Sequence, residues 1–156
     1  NHATKYLYIT TPYFIVDHEM VHALCLAAKK GVDVRIITPG IPDKWYAYLM
    51  TRAYYKELIV AGVRIFEYIP GFIHSKMILC DDDVAVIGTI NLDYRSFVHH
   101  FECACWMYQP DCYKDMVEDF KNTIKESMRI TLDDIPKQGI FKRLVVSFLK
   151  IFSPLF

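Results

Sequence analysis

Two stretches of the chain repeat one pattern, and that pattern constrains the fold more than anything else in it. "AAKKGVDVRIITP" (27–39) and "LIVAGVRIFEYIP" (58–70) each run from the end of a helix through Gly-Val into an apolar strand, then to a proline. A glycine just past the last helical residue supplies the left-handed turn that stops a helix. An apolar strand without polar alternation suits a strand buried on both faces. With "KYLYIT" (5–10) as an earlier strand, the order is strand, helix, strand, helix, strand. That order implies right-handed crossovers and a parallel sheet at the core.

The first helix is expected from Asp17 to about Lys30, with Asp17 as cap and Glu19 in the first turn, where a negative charge suits the helix dipole. "TPYFIV" before it reads as a loop, and "VDVRIITP" (32–39) as the second strand. The second helix is expected as one long segment from Lys44 to Ala61, and "VRIFEY" as the third strand. After Gly71 the spacing tightens. "HSKMILC", "VAVIGT" and "FECACWMY" read as three strands joined by short links, an antiparallel extension of the sheet. "DCYKDMVEDFKNTIKESM" then reads as an amphipathic helix, with Tyr113, Met116, Val117, Phe120 and Ile124 at helical spacing. The fold class is therefore α/β, a mixed sheet flanked by helices, parallel in its first half and antiparallel in its second. Residues 1–130 read as one domain and 131–156 as an amphipathic, basic C-terminal tail. In that tail Phe141, Leu144, Val145, Phe148, Leu149 and Phe152 follow helical spacing, with Arg143, Ser147 and Lys150 on the other side, a pattern that suits either the headgroup layer of a membrane or packing on its own domain or a partner half.

Composition narrows the function. The chain has 156 residues, 53% of them hydrophobic, enough for a substantial core. Lys plus Arg equals Asp plus Glu at 18 each, and this zero balance argues against a nucleic-acid partner. Five cysteines without a regular framework read as reduced thiols of a cytosol-facing domain. No window reaches the roughly 18 uncharged apolar residues of a membrane span. The chain opens Asn-His-Ala, which reads as a piece cut or processed from a longer polypeptide.

The candidate chemistry lies in "GFIHSKMILCDDD" (71–83). Residues two apart on a strand share a face, so His74 and Lys76 project together. An imidazole beside an ammonium suits an anionic substrate: the ring attacks or moves protons, and the cation holds a phosphoryl oxygen. Asp81, at an odd offset from His74, is expected in the following turn, accepting backbone hydrogen bonds in a supporting role. In "GTINLDYRS" (88–96), Asn91 offers an uncharged amide donor to a phosphate oxygen, and Glu102 can fix the histidine tautomer. By spacing alone, the His-x-Lys pair also fits a solvated strand face. "HHFECAC" brings Cys103 and Cys105 near His99 and His100, but without a second ligand pair it reads as small buried residues on a core strand rather than as a metal site. "TPYF" stands either as a packed turn or as a wall of a headgroup pocket. The aromatic stripe of Trp45, Tyr48 and Leu49 reads mostly as core, with a membrane-interface alternative.

His74-Ser75-Lys76, four residues and Asp81, followed by Gly88-Thr89-x-Asn91-x-Asp93-x-Arg95-Ser96, resembles the HxK(x)4D and GxxN signature of the phospholipase D superfamily. With the flanks "YITTPYFIVDHEMVHALCLAAKKGVDVRIITPG" and "KIFSPLF", nearly the whole chain is similar to the carboxyl-terminal catalytic half of bacterial cardiolipin synthases. The resemblance implies a phosphatidyl transferase without metal or cofactor, joining two phosphatidylglycerol molecules through a phosphohistidine and releasing glycerol. It implies His74, Lys76 and Asp81 as catalytic residues, with Asn91 on the phosphate and Glu102 in support, and His74 as either nucleophile or acid/base. It also implies a phospholipid substrate, a bacterial membrane surface and a cytoplasm-facing location. The family's site needs two such motifs and this chain has one, so a second motif is expected from a longer parent chain or a homodimer mate. A homodimeric single-motif phosphodiesterase or nuclease, and a non-catalytic lipid-binding half, are the alternatives.

Overall fold

The computed structural model describes residues 2–135, together with Val145 and Phe148. Three strands run parallel at its centre: β1 (Tyr6–Thr10), β3 (Asp33–Pro39) and β4 (Arg64–Tyr68). Between β1 and β3 come a short strand β2 (Phe14–Ile15) and helix α1 (His18–Lys29); between β3 and β4 come α2 (Trp45–Arg52) and α3 (Tyr55–Val60). β5 (Met77–Cys80) and β6 (Val84–Gly88) extend the sheet antiparallel from β1. Then follow β7 (Leu92–Asp93), a π-helical turn (Arg95–His99), β8 (Ala104–Tyr108), α4 (Tyr113–Lys125) and β9 (Ser127–Ile130). The main sheet runs β8-β6-β5-β1-β3-β4-β9 among the described residues, and β2 pairs with β7 in a second, small parallel sheet. This is the expected mixed α/β architecture.

Both faces of the sheet are covered, which explains why its central strands read as unbroken apolar runs. On one face Val21 and Leu24 of α1 and Tyr55 and Leu58 of α3 pack on Ile9, Val34, Ile36 and Ile65. On the other, Phe120 and Tyr113 of α4 pack on Tyr8, Ile37, Phe66 and Leu79. The Tyr8 and Phe120 rings stack at 4.7 Å. Asp17 caps α1 as expected, accepting from the Met20 N–H. Gly31 and Gly62 follow their helices at φ 95° and 103°, a conformation that favours glycine.

Five local readings are corrected. The expected helix 44–61 breaks in two at Ala53 and Tyr54, where N–H groups bond three residues back to Met50 and Thr51. The break turns Tyr54, Tyr55 and Leu58 into the core and leaves Trp45, expected as core, 69% exposed. The strand expected from His74 begins only at Met77, because Met77 pairs with Thr10, the last residue of β1, and His74–Lys76 lie beyond it. β8 begins at Ala104 rather than Phe101. Among the described residues it pairs only with β6, so Cys105 in it and Cys103 just before it are exposed at a sheet edge instead of buried in a core strand. The last expected helix ends at Lys125, and Ser127–Ile130 return as β9 against β4. "TPYFIV" is not only loop, since Phe14 and Ile15 pair with Leu92 and Asp93. The amphipathic pattern expected over 131–156 lies, apart from 131–135, Val145 and Phe148, outside the described residues. Among the described residues no helix is long and apolar enough to cross a membrane.

Candidate functional site

Parallel strands point their carboxyl ends the same way, and the crevice there is where such sheets place ligands. Thr11–Tyr13 leave β1, Gly40–Asp43 leave β3 and Ile69–Phe72 leave β4 at that end. Because β5 runs antiparallel to β1, its entry residues His74 and Lys76 reach the same place. The extended segment keeps them side by side although it belongs to no strand. Lys76 Nζ lies 2.9 Å from His74 Nδ1 and donates to the His74 carbonyl at 2.7 Å.

Burial lowers the His74 pKa, and the neighbouring Lys76 charge lowers it further, against the raising effect of Asp43. The imidazole is therefore biased toward its neutral form. Burial also lowers the pKa of Lys76, opposed by Glu102 and Asp93, which places two carboxylates within electrostatic reach of the ammonium.

The small β2–β7 sheet brings the Asn91 loop to this end. The Leu92 N–H donates to Thr11 Oγ1 at 3.1 Å, tying the loop after β1 to the loop after β6. The Asn91 N–H donates to Ser96 Oγ, and the Ser96 N–H to Asp93 Oδ1 at 2.8 Å. The Asn91 side-chain oxygen is buried with no hydrogen-bond partner among the described residues. Such an atom costs about 1–3 kcal/mol, so it marks a group whose orientation is not set by stability alone.

Glu102 takes a hydrogen bond from the Thr89 hydroxyl, which is the main influence holding its carboxyl below the usual range; burial opposes this, and Ser96, His100 and Lys76 add to it. The imidazole it pairs with is that of His100, at 3.7 Å, rather than that of His74. Thr89 in turn accepts from the Cys103 N–H, so the Glu102 segment is fastened to the loop after β6.

Asp81 stands apart from this group. It follows Cys80, whose register partner is Leu7 near the start of β1, whereas Lys76 precedes Met77, the partner of Thr10. The two motif residues flank β5 and are thus five residues apart, roughly 16 Å at about 3.3 Å per residue. Asp81 sits in the turn at φ 55° and accepts from the N–H groups of Thr4 (2.6 Å), Lys5 (2.9 Å) and Tyr6 (2.9 Å) and from the Thr4 hydroxyl (2.8 Å). Burial pushes its carboxyl up, but these donors outweigh it and hold the pKa low.

Two features went unread in the sequence. Glu67 on β4 is 2% exposed and meets Tyr55 (3.1 Å), Tyr48 (3.3 Å) and Arg52 (3.4 Å), a buried charged network under α2. Burial raises its pKa, against the lowering effect of Arg52. Asp43, in the "PGIPD" loop, accepts a short hydrogen bond from the Tyr13 hydroxyl. The crevice rule was the available signal for Asp43; no local pattern pointed to Glu67.

Residues 1–124 match the family model described as the cardiolipin synthase, PLD-like domain. The chain belongs to this family. It is 52% identical over 155 residues to an uncharacterized protein of Streptococcus mutans, covering 99% of this chain and 34% of that protein. It is 43% identical over 153 residues to cardiolipin synthase 2 of Bacillus anthracis, covering 98% of this chain and 30% of the relative. This PLD-like domain thus spans about a third of the length of those relatives. Among solved structures, Nuc of Salmonella typhimurium, a phospholipase D family member, superposes with a TM-score of 0.73 at 18% identity, covering 83% of this chain and 84% of that one. Phosphatidylserine synthase of Haemophilus influenzae superposes at 0.68 with 20% identity, covering 98% of this chain and 40% of that one. At such identities the likeness speaks to the fold, which is that of the PLD family.

Proposed function

We propose that this domain carries one of two half-sites of a phosphatidyl transferase that makes cardiolipin from two phosphatidylglycerol molecules. The observation that carries the reading is the Lys76 ammonium held against the His74 ring, beside the Asn91 loop, at the carboxyl ends of the parallel strands. A nucleophilic histidine must be neutral, whereas the acid that protonates a leaving alkoxide must be charged. Burial and the Lys76 charge favour the neutral form of His74, which suits the nucleophile's role assigned to it in this proposal.

In this account His74 attacks phosphorus and the bond to the headgroup glycerol breaks. The departing oxygen takes a proton from a second histidine, supplied by another unit of the parent chain or by a homodimer mate. A hydroxyl of a second phosphatidylglycerol then attacks the phosphohistidine, gives its proton to that second histidine and releases His74. Lys76 and the Asn91 amide hold the non-bridging oxygens, where charge builds in the transition state. Asp81 and Glu102 act through the backbone they fasten, Asp81 on β1 and Glu102 on the Thr89 loop. No step requires a metal or cofactor. The domain works at a bacterial membrane from the cytoplasmic side.

Support comes from relatives named cardiolipin synthase at about 40% identity, and from their length, which leaves room for a second unit. The zero formal charge weighs against the homodimeric nuclease reading. The test is transfer from phosphatidylglycerol vesicles by the full-length polypeptide. Cardiolipin with stoichiometric glycerol release is expected; cleavage of DNA without lipid transfer would overturn the reading.

A further inference from the structure

The π-helical turn Arg95–His99 inverts the usual rule of burial. Its serine, Ser96, is 6% exposed, while the neighbouring Phe97 and Val98 are 47% and 68% exposed. Packing alone would bury the phenylalanine and leave the serine to water. The His100 N–H closes the turn on the Arg95 carbonyl at 2.9 Å. Turns of this width are rare, and they gather at functional sites.

A serine hydroxyl can donate one hydrogen bond and accept others, and Ser96 does both. Its oxygen accepts from the Asn91 N–H at 3.1 Å. Its proton goes to Glu102, beside the hydrogen bond from Thr89 that is the main influence holding that carboxyl low. Its backbone N–H donates to Asp93 Oδ1 at 2.8 Å, and Asp93 is itself buried in β7. Ser96 thus meets the backbone of Asn91 and two carboxylates. Those two carboxylates are the ones that act on Lys76: burial lowers the ammonium's pKa, and Glu102 and Asp93 oppose it. In the proposed reaction Lys76 and the Asn91 amide hold the non-bridging oxygens of one phosphoryl group. The placement of one relative to the other decides whether both oxygens are held at once, and Ser96 links the two.

We infer that Ser96 is a positioning residue of this half-site: through Asn91 on one side and Glu102 and Asp93 on the other, it sets the amide against the Lys76 ammonium so that they grip one phosphoryl group together. The inference rests on the transferase reading above and adds to it a buried residue that acts only through its neighbours.

Replacing one non-bridging oxygen of phosphatidylglycerol by sulfur gives two diastereomers, which tell the two oxygens apart. The full-length polypeptide is given phosphatidylglycerol vesicles that carry one or the other phosphorothioate diastereomer with a deuterated headgroup, and mass spectrometry follows the deuterated glycerol released. Transfer from the analogue releases that label, and the ratio between diastereomers does not depend on how much of the protein is folded. Wild type is expected to prefer one diastereomer by about tenfold or more, because an ammonium and an amide hold the two oxygens differently. Ser96→Ala is expected to shrink that preference by about fivefold. On ordinary phosphatidylglycerol it is expected to lower kcat by about 10–100-fold with KM within about twofold, as misplacement of a transition-state contact does. Ser96→Cys, close in size but a weak hydrogen-bonding group, is expected to follow it. A preference within about twofold of wild type in these variants, or a wild type that makes cardiolipin and uses both diastereomers alike, would overturn the positioning role and leave the transferase reading intact. A wild type that makes no cardiolipin from ordinary phosphatidylglycerol would sink the transferase reading, and the role of Ser96 with it.

Discussion

The two ends of β5 divide one short motif between two kinds of work. At the entry end, His74 and Lys76 touch each other in the extended segment that leads into β5, and both side chains have perturbed titration. At the exit end, Asp81 sits in a left-handed turn and draws in three N–H groups at the start of β1. In the proposed account one end offers its polar groups to a ligand, whereas the other gives its carboxylate to the backbone at the start of β1. The comparison teaches that residues written together in a motif need not share a pocket, and that their substitutions should fail in different assays.

The largest separation is expected for His74. Asn in its place should reduce transfer by the full-length polypeptide by about 10⁴-fold or more, as loss of a nucleophile does, with little change in thermal unfolding. Lys76→Ala comes next, with kcat down by about 10²–10³-fold from a lost charge contact to the phosphoryl group. Asp81→Asn inverts the pattern. Unfolding by urea should show a loss of about 1–2 kcal/mol, toward the low end for charge-assisted hydrogen bonds because the turn meets solvent. An activity loss for Asp81→Asn that exceeds its stability loss would break the division.

The pH dependence sharpens it. The folded Asp81 pKa lies below the ordinary value of 3.8. Its contribution is therefore fully present above that value and drains away as the pH falls through the folded pKa. Wild type should lose stability below about pH 4 more steeply than Asp81→Asn does. The smallest expected effect is at the other end. With Lys76→Met, the His74 imidazole should titrate at a higher pH by NMR, because a neighbouring cation has gone; an unchanged or lower value would contradict the electrostatic coupling between them.

Much of this was legible because local and tertiary demands agreed. Gly31 and Gly62 had to stop helices, and the strands after them had to be buried on both faces, so β1, β3, β4 and α1 were readable. The readings failed where tertiary contacts override local preference. The 44–61 segment has an unbroken helical pattern, yet Tyr54 and Tyr55 must enter the core, and the chain breaks to place them. Ser127–Ile130 form a strand only because the edge of β4 is open to them. At the site, the spacing of His74 and Lys76 alone also fitted a solvated strand face, and the family resemblance singled the pair out. The separation of Asp81 needed the register of β5 on β1. The Tyr13–Asp43 contact needed three loops to meet, and the burial of Glu67 is visible in no periodicity at all.

The claim on which the rest depends is that His74 carries the phosphatidyl group. The direct measurement is peptide mass spectrometry of the full-length polypeptide quenched during turnover of phosphatidylglycerol. A phosphatidyl adduct on the peptide containing His74, absent in His74→Asn and present in folded Asp81→Asn, is the predicted result. An adduct confined to another histidine and retained in His74→Asn would contradict it.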